Sequence, residues 1–175
     1  MPTLPDYIDS QLKVLSVGLN PSIPSVEKGY YFANPRNRFW PAFNQSDILD
    51  HSLTPDSNVH KRLLEEYRIG FTDVVKRPSR MANQLKSSDY RQDAPLLRKK
   101  IELYLPQLIW FHGKLAIKYF MQYGYGVKNN WQWGMNQVPQ LNSKVFVTPN
   151  PSPANASYSL QVLIDFYNQL PYREL

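Results

Sequence analysis

Hydrophobic residues along the chain occur alternately in short continuous runs and in segments with helical spacing. The continuous runs predict four buried strands, at residues 14–17, 69–75, 108–111 and 145–148. The helical spacing predicts helices at residues 37–43, 59–67, 97–105, 114–122 and 157–170. Strands that alternate with helices are typical of an α/β domain, in which helices cover both faces of a mainly parallel sheet.

Polar loops follow three of the predicted strands. The first reads Gly18-Leu-Asn-Pro-Ser, the second His112-Gly-Lys and the third Pro149-Asn-Pro-Ser-Pro-Ala-Asn. In open parallel sheets ligands bind outside the carboxyl ends of the strands, where these loops would meet. A single Asn-Pro pair could simply mark the end of a strand. Two copies of Asn-Pro-Ser after separate strands favour a binding site, because proline stiffens a loop and serine hydroxyls bind phosphate.

Composition narrows the classes of function. The 175 residues carry a formal net charge of +6 and 14% aromatic side chains, which fits a polyanionic partner as well as an ordinary basic protein. The chain has no cysteine, which excludes disulfides and thiolate metal ligands, and its three histidines lack metal-ligand spacing. Neither a secretory signal nor an apolar run of membrane-spanning length is visible, so we expect a cytoplasmic protein.

Common catalytic motifs do not fit. Gly113-Lys114 lacks the first glycine and the Ser or Thr of a phosphate-binding P-loop, because Leu108 and Leu115 stand there. No nucleophile elbow is present. His112, at the end of a predicted strand, is equally well explained as a capping residue and as a site residue.

Five motifs together carry a longer resemblance. Gly18-Leu-Asn-Pro-Ser is followed by Gly29-Tyr-Tyr-Phe-Ala-Asn-Pro-Arg-Asn-Arg-Phe-Trp, then by Gly70-Phe-Thr-Asp-Val-Val-Lys-Arg-Pro, Phe111-His-Gly-Lys and Pro149-Asn-Pro-Ser. In type, order and spacing these resemble the motifs of the mismatch-specific uracil and thymine DNA glycosylases, which belong to the uracil-DNA glycosylase superfamily. The resemblance extends over about residues 14–170.

This resemblance implies a fold, a reaction and a partner. The fold is an α/β three-layer sandwich in which helices flank a central, mainly parallel four-stranded sheet, as one domain over residues 1–175. The reaction is hydrolysis of the N-glycosidic bond of uracil, or of a related deaminated or mismatched base, by a monofunctional glycosylase that flips the base out of DNA. We expect DNA containing such bases as the partner, no membrane, no metal or other cofactor, and a monomer.

The resemblance also assigns roles to residues. Asn20 would position the hydrolytic water, Phe32 would stack on the flipped base, and the backbone amides of Leu19 and Phe32 would bind its edge. Ser25 would line the pocket near the 5-position, and His112 would touch the base edge. DNA contacts are expected from Ser22 of the first loop. They are also expected from the insertion loop, residues 150–156, which would enter the duplex and whose contacting residues would be Asn150, Pro151, Ser152, Pro153, Ala154 and Asn155.

The insertion loop departs from the family pattern. Well-known bacterial members have a bulky wedge and an arginine that contacts the opposing guanine, whereas this chain has Pro153, Ala154 and Ala156. Activity on single-stranded DNA, or on several different base pairs, is therefore an alternative. A further alternative is that hypoxanthine, and not uracil, is the base removed. A nucleic-acid-binding module without catalysis is a third alternative, which the presence of Asn20 and Phe32 disfavours.

Overall fold

A five-stranded sheet forms the centre of the protein, which we describe from a computed structural model over residues 2–175. The strands are β1 (Val14–Gly18), β2 (Ile69–Asp73), β3 (Leu108–His112), β4 (Gly134–Asn136) and β5 (Lys144–Thr148), in the spatial order β2-β1-β3-β5-β4. Four of them are parallel, and β4 pairs antiparallel with β5. The mainly parallel α/β fold is confirmed, but the predicted number of four strands is wrong. Strand β4 has only three residues and no buried side chain, so it left no hydrophobic run in the sequence.

Six α-helices surround this sheet within residues 2–175. They are α1 (Ile23–Lys28), α2 (Phe39–Gln45), α3 (Val59–Tyr67), α4 (Ser87–Tyr104), α5 (Lys114–Tyr125) and α6 (Leu160–Gln169). Short 3-10 turns occupy Ala82–Gln84 and Tyr172–Glu174. The helix predicted at 97–105 is the second half of α4, and α1 was not predicted, because it is short and contains Pro24. No helix of the described part of the chain is both long and apolar enough to cross a membrane.

The core lies in two layers, one on each face of the sheet. Helices α2, α3 and α6 pack on one face, where Phe39, Phe43 and Trp110 are fully buried. Helices α4 and α5 pack on the other face, against Phe111 and its neighbours. Every residue of β1, β2 and β3 is buried, as expected for strands covered on both faces. The predicted three-layer sandwich is therefore confirmed.

The parallel register brings the ends of the inner strands together. Gly18 at the end of β1 lies opposite Asp73 at the end of β2, and His112 at the end of β3 lies opposite Thr148 at the end of β5. Loops that are far apart in the sequence thus share one edge of the sheet.

Candidate active site

A cavity of about 160 Å³ lies at the carboxyl edge of the sheet. A closed cavity of about 150 Å³ holds one benzene ring, so this volume suits a single six-membered ring. The walls come from the loops that follow β1, β2 and β5, from His112 at the end of β3, and from the segment that precedes α2. The structure brings nine of the residues selected from the sequence to these walls: Leu19, Asn20, Ser22, Ser25, Phe32, His112, Asn150, Ser152 and Pro153.

Asn20 projects from the loop after β1 with its amide in a fixed orientation. Its Nδ2 donates to the backbone oxygen of Arg77 at 3.0 Å and to Ser79 Oγ at 2.8 Å. Both acceptors lie in the segment that follows β2, so two loops hold one side chain. With Nδ2 committed, Oδ1 is the polar atom of Asn20 that stays available for a hydrogen-bond donor in the cavity, such as water.

The next turn of the chain is built by serine hydroxyls. Ser22 caps α1, where its Oγ accepts from the Ser25 amide at 3.2 Å and donates to Ser25 Oγ at 2.8 Å. Ser25 Oγ also accepts from the Ala33 amide at 3.0 Å. Ser25 is buried and its hydroxyl is bound on the protein side, so it forms a small, fixed part of the cavity wall.

Phe32 has an unusual backbone and a supported ring. Its φ of 59° lies in the left-handed region, which bulky residues rarely adopt. The ring stacks on Phe39 with centroids 4.3 Å apart and an interplanar angle of 23°. One face of Phe32 is therefore covered by the core, while the half-buried side chain also lines the cavity. This is a suitable platform for a flat ligand, because aromatic rings stack on bases irrespective of sequence.

The backbone around Phe32 leaves one donor unused. The Tyr31 amide donates to Nε2 of the buried His60 at 2.8 Å, and the Ala33 amide donates to Ser25. Between them, the Phe32 amide has no acceptor among residues 2–175, and the same holds for the amide of Leu19, which also lines the cavity. Two backbone donors of the cavity residues are thus free for a ligand.

His112 is buried beneath the Phe32 ring, with centroids 5.0 Å apart in an edge-to-face arrangement. Its Nε2 lies 2.7 Å from Ser16 Oγ, and its Nδ1 is buried without a partner in the described residues. Burial lowers the pKa of His112 to about 3, so the imidazole is neutral at physiological pH. A neutral ring with one free nitrogen can bind a base edge without adding charge, and the same burial suits a purely structural role.

The loop after β5 is held by Arg38. The Arg38 guanidinium donates to the backbone oxygens of Ser152 at 2.9 Å, Asn155 at 2.6 Å and Tyr158, and the Arg38 amide donates to the oxygen of Pro151 at 3.1 Å. This contact joins the insertion loop to the segment that carries Phe32.

Within that loop, the predicted DNA-contacting residues are not equally accessible. Pro151 is buried, Ser152, Pro153 and Asn155 are half-buried, and Ala154 is exposed. Asn155 Nδ2 donates to the backbone oxygen of Asn150 at 3.0 Å, which closes the loop on itself. Gly113 permits the loop to approach closely, because a Cβ there would lie 3.2 Å from the Cβ of Asn150.

Sequence reasoning missed Asp73, which also lines the cavity. It ends β2 and is 4% exposed. Burial raises the pKa of Asp73 to about 7, although Lys76 opposes this shift. The sequence feature that could have identified Asp73 is its position as a lone acidic residue inside the apolar run Ile-Gly-Phe-Thr-Asp-Val-Val. Ser79 and Arg38 were missed as well, because their roles depend on partners distant in sequence.

Positive charge is available beside the cavity. Arg80 lines it and is exposed, and Arg36 is exposed next to the cavity residue Asn37. Neither arginine forms an ion pair with an acidic residue of the described chain, so both can contact phosphate. Across residues 2–175, no three His, Asp or Glu side chains are grouped as a metal site would require.

Comparison with known proteins relates the chain to a family and to a solved structure. The family model of the uracil DNA glycosylase superfamily matches residues 5–170. The solution NMR structure of a candidate uracil DNA glycosylase from Methanosarcina acetivorans matches with a TM-score of 0.63 and 24% sequence identity. That alignment covers 98% of this chain and 96% of the other. At this identity the structural match supports the fold, and the family match is the stronger of the two findings.

Proposed function

The chain belongs to the uracil DNA glycosylase superfamily, and from this premise we propose that it is a monofunctional glycosylase that removes uracil from DNA. Membership in this family implies a DNA substrate and hydrolysis of an N-glycosidic bond. The choice of uracil, the flipped state of the base and the roles of individual residues are the parts that we propose here.

The observation that carries the proposal is the fixed amide of Asn20 on the wall of a cavity that fits one ring. Because Nδ2 is bound to the Arg77 oxygen and to Ser79, Oδ1 is left to accept a hydrogen bond from water. An amide can orient water but does not remove its proton. This is sufficient when the sugar carbon C1′ already has oxocarbenium character, since a reactive electrophile needs little activation of its nucleophile.

The departing base is stabilised by backbone donors. As the bond between C1′ and the base nitrogen breaks, its electron pair leaves with the base, and negative charge develops on the carbonyl oxygens of uracil. The free amides of Leu19 and Phe32 belong to residues that line the cavity. Preorganised donors of this kind stabilise the charge that develops in a transition state. Water supplies the hydroxyl group to C1′, and its proton is released.

The cavity volume of about 160 Å³ accommodates one six-membered ring beside Phe32, so we take a pyrimidine as the main substrate. Hypoxanthine is the alternative substrate that the excision assay tests. The base must leave the duplex to reach this cavity, and flipping is least costly for mismatched or single-stranded bases. Arg36 and Arg80 would then bind the flanking phosphates.

The test is excision by wild type and by Asn20→Ala. Oligonucleotides that carry uracil, thymine, hypoxanthine or ethenocytosine, single-stranded and paired, are incubated with protein and assayed for alkali-labile abasic sites. We expect release of uracil by wild type, and loss of release with DNA binding retained in Asn20→Ala. Cleavage by the alanine variant near the wild-type rate would refute the role of Asn20. Binding of these oligonucleotides without release of any base would support the non-catalytic alternative.

A further inference from the structure

Among residues 2–175, Asp73 is the one acidic side chain that lines the cavity. Its carboxyl group lies over the end of β1, because a Cβ added to Gly18 would be 2.7 Å from Asp73 Oδ1. Leu19 and Asn20 follow Gly18 directly. Asp73 therefore lies beside the residue that directly precedes Leu19 and Asn20, and all of these residues line the cavity.

The carboxyl group lacks the partners that a buried carboxylate needs. Oδ2 is buried and has no hydrogen-bond partner within residues 2–175. The nearest cation is Lys76, whose Nζ lies 3.8 Å from Oδ2, beyond hydrogen-bond distance. That ammonium group is directed to Asp6 Oδ1 at 2.9 Å and to Tyr31 Oη at 3.1 Å. A buried ion without hydrogen bonds is costly, and a buried acid of this kind is more stable when protonated.

We propose that Asp73 acts as a catalytic residue in its neutral, protonated form, and that its carboxyl O–H donates a hydrogen bond to a carbonyl oxygen of the departing base. This inference rests on the proposed glycosylase function and adds a third donor to the amides of Leu19 and Phe32. No proton needs to be transferred in this step: the C1′–N bond breaks, its electron pair stays on the base, and the O–H group stabilises the resulting anion. An apolar site that keeps a carboxylic acid neutral, so that it can donate in this way, is a known catalytic device.

The opposite protonation state would hinder the reaction. An ionised Asp73 would place a negative charge in the cavity where the base itself becomes an anion, and it would offer no donor. The neutral form removes this repulsion. The pKa of about 7 that burial gives Asp73 keeps a substantial fraction of the acid neutral at physiological pH.

The pKa values of the charged and titratable groups around Asp73 allow a pH effect on the rate to be assigned to Asp73. Lys76 lowers the pKa of Asp73 and Asp6 raises it. Burial lowers the pKa of His112, which also lines the cavity, to about 3, and burial raises the pKa of Tyr31 well above its usual value. Among these neighbours, Asp73 is the group with a pKa near neutrality. A change of rate centred near pH 7 can therefore be assigned by replacing it.

The experiment is a single-turnover pH profile of uracil release from a single-stranded oligonucleotide, measured from pH 5.5 to 9. For wild type we expect a constant rate at low pH and a fall of about tenfold per pH unit above about pH 7. Asp73→Asn keeps the size of the side chain and an uncharged N–H donor. The rate of Asp73→Asn at pH 6 should stay within about tenfold of the wild-type rate, as expected when one hydrogen-bond donor replaces another. Its rate should not fall above pH 7. Asp73→Leu, which has no donor, should be slow at every pH.

The control is His51→Gln, because His51 is exposed and outside the cavity. It should retain the wild-type profile. Melting curves establish that each variant is folded, and if Asp73→Leu does not fold, the comparison of wild type with Asp73→Asn decides alone. The inference is overturned if both proteins have the same pH profile. It is equally overturned if the wild-type rate rises through neutral pH and Asp73→Asn is inactive, as a general base would require. The proposed function itself fails if wild type releases no base at any pH.

Discussion

Ser79 orients the side chain of Asn20 from a separate loop. Asn20 Nδ2 donates to Ser79 Oγ at 2.8 Å, and Ser79 Oγ in turn donates to the backbone oxygen of Met81 at 2.9 Å. Since the hydroxyl proton of Ser79 is committed to Met81, Ser79 presents a lone pair to Asn20. The amide of Asn20 therefore cannot rotate by half a turn without losing this bond, and Oδ1 remains the group that can bind water.

Removal of this hydroxyl should slow excision without weakening DNA binding. In Ser79→Ala we expect the single-turnover rate to fall about two- to tenfold, the net worth of one hydrogen bond, because Asn20 is still held by the Arg77 oxygen. Ser46→Ala is the matched control, since Ser46 is also buried and donates to a backbone oxygen, that of Phe43, away from the cavity. Equal loss of rate in both variants would contradict an orienting role.

Phe32→Ala should reduce substrate capture more than stability. Stacking on an aromatic side chain contributes about 1–3 kcal/mol per base, so we expect a loss of catalytic efficiency of about ten- to a hundredfold. Phe43→Leu trims a fully buried ring that does not line the cavity, and it should lower the melting temperature with little effect on the rate. If Phe32→Ala instead lost thermal stability and kept its efficiency, Phe32 would be a core residue only.

Arg38 should matter more for duplex than for single-stranded substrates. Its guanidinium binds the backbone oxygens of Ser152 and Asn155, so Arg38→Met removes the support of the insertion loop. Arg38→Lys should be impaired similarly, because an ammonium group cannot reproduce the planar fork of donors. We expect the ratio of duplex to single-strand excision to fall in both. The control is Arg36→Met, because Arg36 is an exposed arginine nearby. It should weaken DNA binding and reduce the salt dependence of that binding, and it should leave the ratio of duplex to single-strand excision unchanged.

The small side chains of the insertion loop should weaken discrimination between base pairs. Ala154 is exposed at the loop and supplies no bulky wedge, and Ala156 supplies no charged contact to an opposing guanine. We expect a narrow preference for G·U over A·U, with single-stranded uracil excised at least as well. Ala154→Leu combined with Ala156→Arg should sharpen the preference for G·U. Much faster wild-type excision from G·U than from both other substrates would contradict this prediction.

Asp73 should reduce the stability of the protein as the pH rises. An Asp in an unfolded chain has a pKa of about 3.9, and burial raises the pKa of Asp73 in the folded protein to about 7. Between these values the folded state holds a proton that the unfolded state has released, so the free energy of unfolding falls with increasing pH. Asp73→Asn should therefore raise the melting temperature at pH 8 by several degrees and by much less at pH 5, when both are compared with wild type. An equal gain at both pH values would show that ionisation is not the cause.

The hydrophobic pattern alone located the four parallel strands of the sheet to within two residues at their ends. These strands are covered on both faces, so their side chains had to form apolar runs that are visible in the sequence. Strand β4 and helix α1 escaped prediction for the converse reason. Gly134–Asn136 buries no side chain, and Ile23–Lys28 has one fully buried residue, Ser25, which is polar.

Some residues of the candidate site could be selected from the sequence, and others could be recognised only in the structure. Asn20 and His112 were selected from the sequence because they follow predicted strands, and Phe32 because it lies in a family motif that is contiguous in the chain. Asp73 and Arg38 were not assigned any role, although both stand in motifs that were recognised. What gives them a role is their distant partners: Gly18 across the parallel register for Asp73, and the loop after β5 for Arg38. The sequence determined which side chains come at the ends of strands, because burial of a strand is a local property. The tertiary structure decided which of them share a cavity, lose their solvent and shift their pKa, because these depend on contacts between segments that only the folded sheet brings together.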